Sequence, residues 1–188
     1  ENEGLPLARK TGLEYSMGEF IGFVDADDWI EKNMYNDMIL AIDTYHADIA
    51  NCKFIKEFPD GTTENSSALQ EVTVLSSAKA IEWLNLEIGL EASLANKLIK
   101  KELFAHVPFK AGVTIGEDYR STYYLLEHAS NIVCIPHAYY HYVQHGDSIC
   151  YKGYSGNGTI ILESYTEIKE KIRQNFPELY LAAVRYWI

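Results

Sequence analysis

The feature that most constrains this chain is a short apolar run that ends abruptly in acid. Phe20-Ile21-Gly22-Phe23-Val24 is followed at once by Asp25-Ala26-Asp27-Asp28-Trp29. A continuous apolar run of this length predicts a strand buried on both faces, as in a sheet covered by helices. In open α/β sheets ligands bind outside the carboxyl ends of the strands. Carboxylates crowded at such a point repel one another unless a cation or a proton neutralises them. Hard oxygen ligands suit Mg²⁺ or Mn²⁺, and one or two carboxylates plus substrate phosphates complete an octahedral shell. Asp25 and Asp27 are therefore candidate ligands of a metal–phosphate site. The bland alternative is that Asp27 or Asp28 caps the next helix and Asp25 is merely solvated. An EF-hand loop is excluded, because Trp29 and Ile30 stand where an oxygen ligand and a glycine are required. A phosphotransferase with Asp25 as nucleophile stays open on the local pattern.

The flanking rhythm is α/β. Leu5, Ala8, Gly12 and Tyr15 predict a helix over about 5–16, and Met34, Met38, Ile42 and Tyr45 a second over 33–45. Residues 48–58 read as a strand, and Pro59-Asp60-Gly61 as a turn. Ser76 or Ser77 caps a helix running to Leu86. Residues 94–104 read as a lysine-bearing helix, and Tyr119 to Ala129 as another. Ile132–Ile135 and Tyr139–Gln144 read as strands, and 145–158 as a glycine-rich loop. The last 30 residues read as amphipathic helices broken near Pro177.

Composition narrows the partners. Sixteen Lys and Arg against 27 Asp and Glu leave a net charge of −11. Nucleic-acid binding needs clustered cations and is not expected. Cys52, Cys134 and Cys150 have neither disulfide-framework nor zinc spacing, so a reducing, cytoplasmic setting is the expectation. No apolar run approaches the ~20 residues that span a bilayer.

Several ordered motifs carry a family resemblance. Residues Glu1 to Leu5, then Ala8-Arg9-Lys10-Thr11-Gly12-Leu13, then Gly18-Glu19-Phe20 through Asp25-Ala26-Asp27-Asp28-Trp29, strongly resemble inverting glycosyltransferase family 2. Its pattern there is an N-x-G-x-x-x-A-R-N-x-G helix followed by G-E-[YF]-[IL]-x-F-[LV]-D-x-D-D. Ser93 to Leu98, Lys101 to Phe104, Gly116-Glu117-Asp118-Tyr119, Tyr140-His141-Tyr142 and Ser148-Ile149 are similar to segments of the family's bacterial surface-polysaccharide enzymes. The resemblance implies a GT-A fold, α/β and Rossmann-like, over a partial catalytic domain 1–150, with a helical C-terminal extension 151–188. It also implies that about 75–90 residues of the family's layout precede Glu1, the size of a βαβαβ half. A sheet without those strands has an open edge, which invites association.

The same resemblance implies site roles. Asp27 would ligate Mn²⁺ or Mg²⁺ on the diphosphate of a nucleotide-sugar donor, and Asp25 would contact the ribose or the metal. Arg9 would lie near the nucleotide, whereas Lys10 departs from the family's Asn. Glu117 and Asp118 open a helix, where acids complement the dipole whatever else they do. Matched to the family's E-D pair, Asp118 becomes the general base that takes the acceptor hydroxyl proton, and Glu117 its partner. Asn96, Lys97 and His145 are candidates to face the leaving diphosphate. Trp29, Tyr139, Tyr140 and Tyr142 read as core aromatics rather than sugar platforms. The activity the resemblance implies is transfer of a sugar from a nucleotide-diphosphate donor, a UDP-sugar first among them, with inversion to a saccharide or lipid-linked acceptor in polysaccharide or glycoconjugate assembly. Peripheral contact at the inner face of the plasma membrane goes with a lipid-linked acceptor, although the net charge opposes attraction to anionic lipid. The competing expectations are the Asp25 phosphotransferase and a non-catalytic domain that binds a partner.

Overall fold

The computed structural model describes residues 4–110, 116–144 and 158–185. Its centre is a mixed sheet whose strands run β1 (Phe20–Gly22), β6 (Lys97–Lys100), β3 (Ile49–Glu57), β7 (Asn131–Val143) and β2 (Trp29–Ile30) across. Two further strands attach to this path: β4 (Thr63–Asn65) to β3, and β5 (Thr73–Ser76) to β7. Among the described strands only β3 and β7 run parallel. Strand alternation splits the core into two layers. Ile49, Ile99 and Ile132 enter one cluster, while Ala50, Leu98 and Val133, their chain neighbours, enter the other. Helix α2 (Met34–Tyr45) covers the second face with Met34 and Met38, both fully buried. Each such side chain contributes about 1.5–3 kcal/mol of apolar transfer energy. Helices α3 (Ser77–Leu86) and α4 (Glu117–His128) cover the first face.

The helices over 5–16 and 33–45, the strand over 48–58 and the helix from Ser76 are found nearly as read. α1 spans Leu5–Tyr15, and the Ser76 hydroxyl accepts from the Lys79 amide at 3.4 Å. Three readings need correction. Residues 94–104 are not a helix: β6 forms first, and a 3₁₀ turn follows over Lys101–His106. The run Leu98-Ile99 is buried on both sides between β1 and β3, and this tertiary pairing overrides local helix propensity. The apolar run from Phe20 yields only the three-residue β1, with Ile21 alone buried. Among the described residues β1 pairs with β6 only. The two strands read over 132–144 are one long strand whose register against β3 slips between Asn51 and Phe54, opposite the segment holding Pro136. Proline has no N–H for the ladder, so the slip falls there. β2, β4 and β5 are too short to announce themselves by alternation.

At the C-terminal end, α5 (Gly158–Asn175), a 3₁₀ turn (Pro177–Leu179) and α6 (Tyr180–Arg185) bear out the break at Pro177. Ile168, Ile172 and Ala183 are buried in the first cluster, so this extension packs into the same core as residues 4–144. No described helix is long and apolar enough to cross a membrane.

Candidate active site

Three segments distant in sequence meet beyond the end of β1. Residues 25–28 form a β-turn closed by the Asp28 N–H donating to the Asp25 carbonyl at 3.1 Å, with Asp27 at its third position. The turn is fastened to β7. The Tyr140 hydroxyl donates to Asp28 Oδ2 at 2.6 Å and accepts from the Asp25 N–H at 3.1 Å. The Val143 N–H donates to Asp28 Oδ1 at 2.9 Å. Asp28 therefore caps no helix: Asn33 is the N-cap of α2. Asp27 is exposed, and among the described residues no protein donor meets its carboxylate.

Arg9 reaches the site from α1. It is 6% exposed, its guanidinium lies 5.5 Å from the Phe23 ring centroid, and its Nη1 donates to Asp118 Oδ1 across 109 residues of sequence. Asp118 and Glu117 occupy the first turn of α4, entered through Gly116 at φ +77°. Left-handed backbone of that kind is open to glycine without strain. The Asp118 side chain keeps 30% of its surface exposed, so it is orientated by Arg9 yet reachable.

The electrostatics are those of an acid cluster with too little cation. The Asp25 carboxyl is pushed above its ordinary range, first by burial; the Arg9 charge opposes this, and the Asp118, Asp28 and Asp27 charges add to it. Glu117 is also raised, chiefly by burial, with Asp118 and Asp25 adding repulsion against the pull of its own helix-end amide and Arg9. A divalent cation would relieve this repulsion. Among the described residues no group of three or more His, Cys, Asp or Glu is arranged to hold a metal. The protein can supply two carboxylates, Asp25 and Asp27, which fits a magnesium-like ion that takes its remaining ligands from phosphate and water.

Asn96 and Lys97 sit elsewhere than expected. Both are buried where β6 begins, not on a helix face. The Lys97 ammonium donates to the Glu91 carbonyl at 2.7 Å, the Ser93 carbonyl at 2.6 Å and Asn96 Oδ1 at 2.9 Å. Its three protons are thereby used. Asn96 donates to the Cys52 carbonyl at 2.6 Å and to Glu91 Oε2 at 3.0 Å. The pair pins loop 89–95, which also receives the Thr122 hydroxyl of α4 on the Ala92 carbonyl at 2.6 Å. Burial depresses the Lys97 pKa, against attraction from Glu91, Cys134, Asp118 and Cys52. In this conformation the two residues brace the site from inside the core rather than line it. His145 lies outside the described residues.

Tyr140 is the site residue that residue-type reasoning passed over. Tyr139 and Tyr140 are core aromatics as read, but each carries a hydroxyl bonded to an aspartate, Tyr139 to Asp37 at 2.5 Å and Tyr140 to Asp28. Trp29 instead is 47% exposed and stacks on His141 with ring centroids 3.4 Å apart. The available signal was the Tyr140-His141-Tyr142 motif itself.

Against known families, the model described as glycosyl transferase family 2 matches residues 1–116. The chain belongs to this family. Among curated relatives, EpsH of Bacillus subtilis (strain 168), named as a glycosyltransferase, is 30% identical over 154 residues, 79% of this chain and 44% of EpsH. Glycosyltransferase GlyG of Streptococcus pneumoniae serotype 4 is 29% identical over 160 residues, 79% of this chain and 52% of GlyG. The crystal structure of S. aureus TarS 1-349 in complex with UDP-GlcNAc superposes with a TM-score of 0.72 at 21% identity, over 91% of this chain and 47% of that one. That likeness shows the fold, a GT-A-like α/β architecture. The chain spans about half or less of the length of each of these proteins. The family match ends at Gly116, so Glu117 and Asp118 lie beyond it and rest on their place in α4 and on the Arg9–Asp118 ion pair.

Proposed function

We propose that this chain carries part of the active site of an inverting glycosyltransferase that uses a nucleotide-diphosphate sugar, a UDP-sugar in the first instance. The observation that carries the reading is the meeting of Arg9, Asp25, Asp27 and Asp118 at the end of β1 in a family 2 chain. TarS, of matching fold, is seen with UDP and with UDP-GlcNAc, and this supports the donor class. Asp25 and Asp27 would hold Mn²⁺ or Mg²⁺, which when bound offsets charge on the leaving diphosphate. Arg9 holds one oxygen of Asp118, and the other faces no protein donor among the described residues. That free oxygen accepts the proton of the acceptor hydroxyl as its oxygen bonds to the anomeric carbon and the bond to the diphosphate breaks. Glu117, raised by burial, is the neighbouring carboxyl in the same first turn of α4. The acceptor is a saccharide or a lipid-linked saccharide. The family assignment sets aside the Asp25 phosphotransferase.

The test is transfer by the complete protein with Asp118→Asn. A general base contributes about 10²–10⁴-fold, so kcat should fall by at least 100-fold while the Kd for UDP with Mn²⁺ holds. Unchanged transfer by Asp118→Asn would remove the assignment. Loss in Glu117→Gln alone would move the role one residue back.

A further inference from the structure

We infer that Tyr140 and Asp28 are positioning residues for the donor's metal: the tyrosine hydroxyl ties together both ends of the 25–28 turn and so sets how Asp25 and Asp27 face a shared cation. The inference rests on the proposed donor site. Of the three clustered aspartates, Asp28 alone has its carboxylate bonded to protein groups among the described residues, one oxygen to the Tyr140 hydroxyl and the other to the Val143 amide. Tyr140 closes the loop by accepting the Asp25 N–H. A single hydroxyl thus spans the first and last residues of the turn, and the Asp28 amide bonded to the Asp25 carbonyl completes the ring. The turn's exit is fastened to the same strand, because Ile30 pairs with Tyr140 and Trp29 with His141. The Tyr140 ring is 2% exposed within the second core cluster, so the strut is rigid at its far end. Asp27 is left pointing out of the turn with no protein partner among the described residues, as an available ligand should be. Partners that orient ligating carboxylates change metal affinity without touching the metal, commonly by about 10–100-fold.

The experiment measures UDP binding by the complete protein as Mn²⁺ is titrated, with thermal midpoints recorded for each variant. Asp27→Ala, which tests the donor site itself, should abolish the Mn²⁺-dependent part of binding. Tyr140→Phe deletes one oxygen and keeps the buried ring. It should weaken apparent Mn²⁺ affinity by about tenfold or more, with metal-free UDP binding unchanged. Asp28→Asn keeps an acceptor for the Val143 amide and should show a smaller loss than Asp27→Ala. If Asp27→Ala has no effect, the donor-site reading fails. If Asp27→Ala abolishes the metal dependence and Tyr140→Phe leaves it at the wild-type level, the positioning role is overturned. A loss in Asp28→Asn equal to that of Asp27→Ala would make Asp28 a ligand and overturn it equally. A Tyr140→Phe protein whose metal-free binding falls in step with its midpoint would show a purely structural tyrosine.

Discussion

The side chains around the acid turn show how far a single atom matters. Gly22, at the end of β1, lies under the ring of Tyr35 from α2: a Cβ built there would stand 2.6 Å from both Cε1 and the hydroxyl oxygen. A Cβ at this position has no room while the Tyr35 ring keeps its place against the strand that delivers Asp25. Gly22→Ala must displace the ring tip, at a cost of about 1–3 kcal/mol for overpacking. Urea unfolding measures this, and a variant as stable as wild type would show that Tyr35 swings aside freely. Residue identity also explains what was legible here. The Asp25, Asp27 and Glu117-Asp118 candidates are apparent from charge placed after a strand and before a helix. Arg9, the ion-pair partner of Asp118, is not apparent from spacing, since the bond crosses 109 residues, and only the family resemblance pointed to it.

Elements are held to one another by a few polar ties set in apolar packing. The clearest joins α5 to α4. Glu167 accepts from Arg120 at 2.8 and 3.2 Å and from the Tyr124 hydroxyl at 2.5 Å, with Lys110 at 3.4 Å. Burial alone would raise its carboxyl. The Arg120 and Tyr124 hydrogen bonds and the two cationic charges win, and it lies at about 2 against an ordinary 4.5. A carboxyl whose folded value is lowered stabilises the fold above its unfolded value, and that contribution drains away as pH falls towards the folded one. Glu167→Gln should therefore have a lower thermal midpoint than wild type at neutral pH, and the gap should close between about pH 4.5 and 2. A gap that persists at pH 2 would mean packing, not charge, joins the helices. The same scale shows why 94–104 was misread. Leu98 and Ile99 fit a helical pattern as well as a strand, and the choice was made by β1 and β3 offering backbone partners on both sides.

For the whole molecule the organising strand is β7. Its first half lies between β3 and β5 and its second between β3 and β2, with the register slip near Pro136 dividing the two. One strand thereby supports both the core under α3 and α4 and the turn that carries Asp25 and Asp27. The residues of β3 and β7 buried on both faces of the sheet, Ile49–Cys52 and Ile132–Cys134, should open only on global unfolding. Native-state hydrogen exchange should find their amides the slowest in the chain. Faster exchange there than in α5 would place the stable centre among the helices instead.

The sequence by itself determined the chemistry on offer and most of the local order. An apolar run meeting three aspartates, capped helices, a turn at Pro59-Asp60-Gly61 and ordered family motifs are local signals, written within a few residues of where they act. Tertiary structure decided which of these groups meet and which are spent inside the fold. It brought Arg9 to Asp118, gave the protons of Lys97 to the loop beneath the site, and used Asp28 and Tyr140 to shape the turn. Such pairings depend on burial and on distances across the sheet, quantities that exist only once the chain has closed on itself.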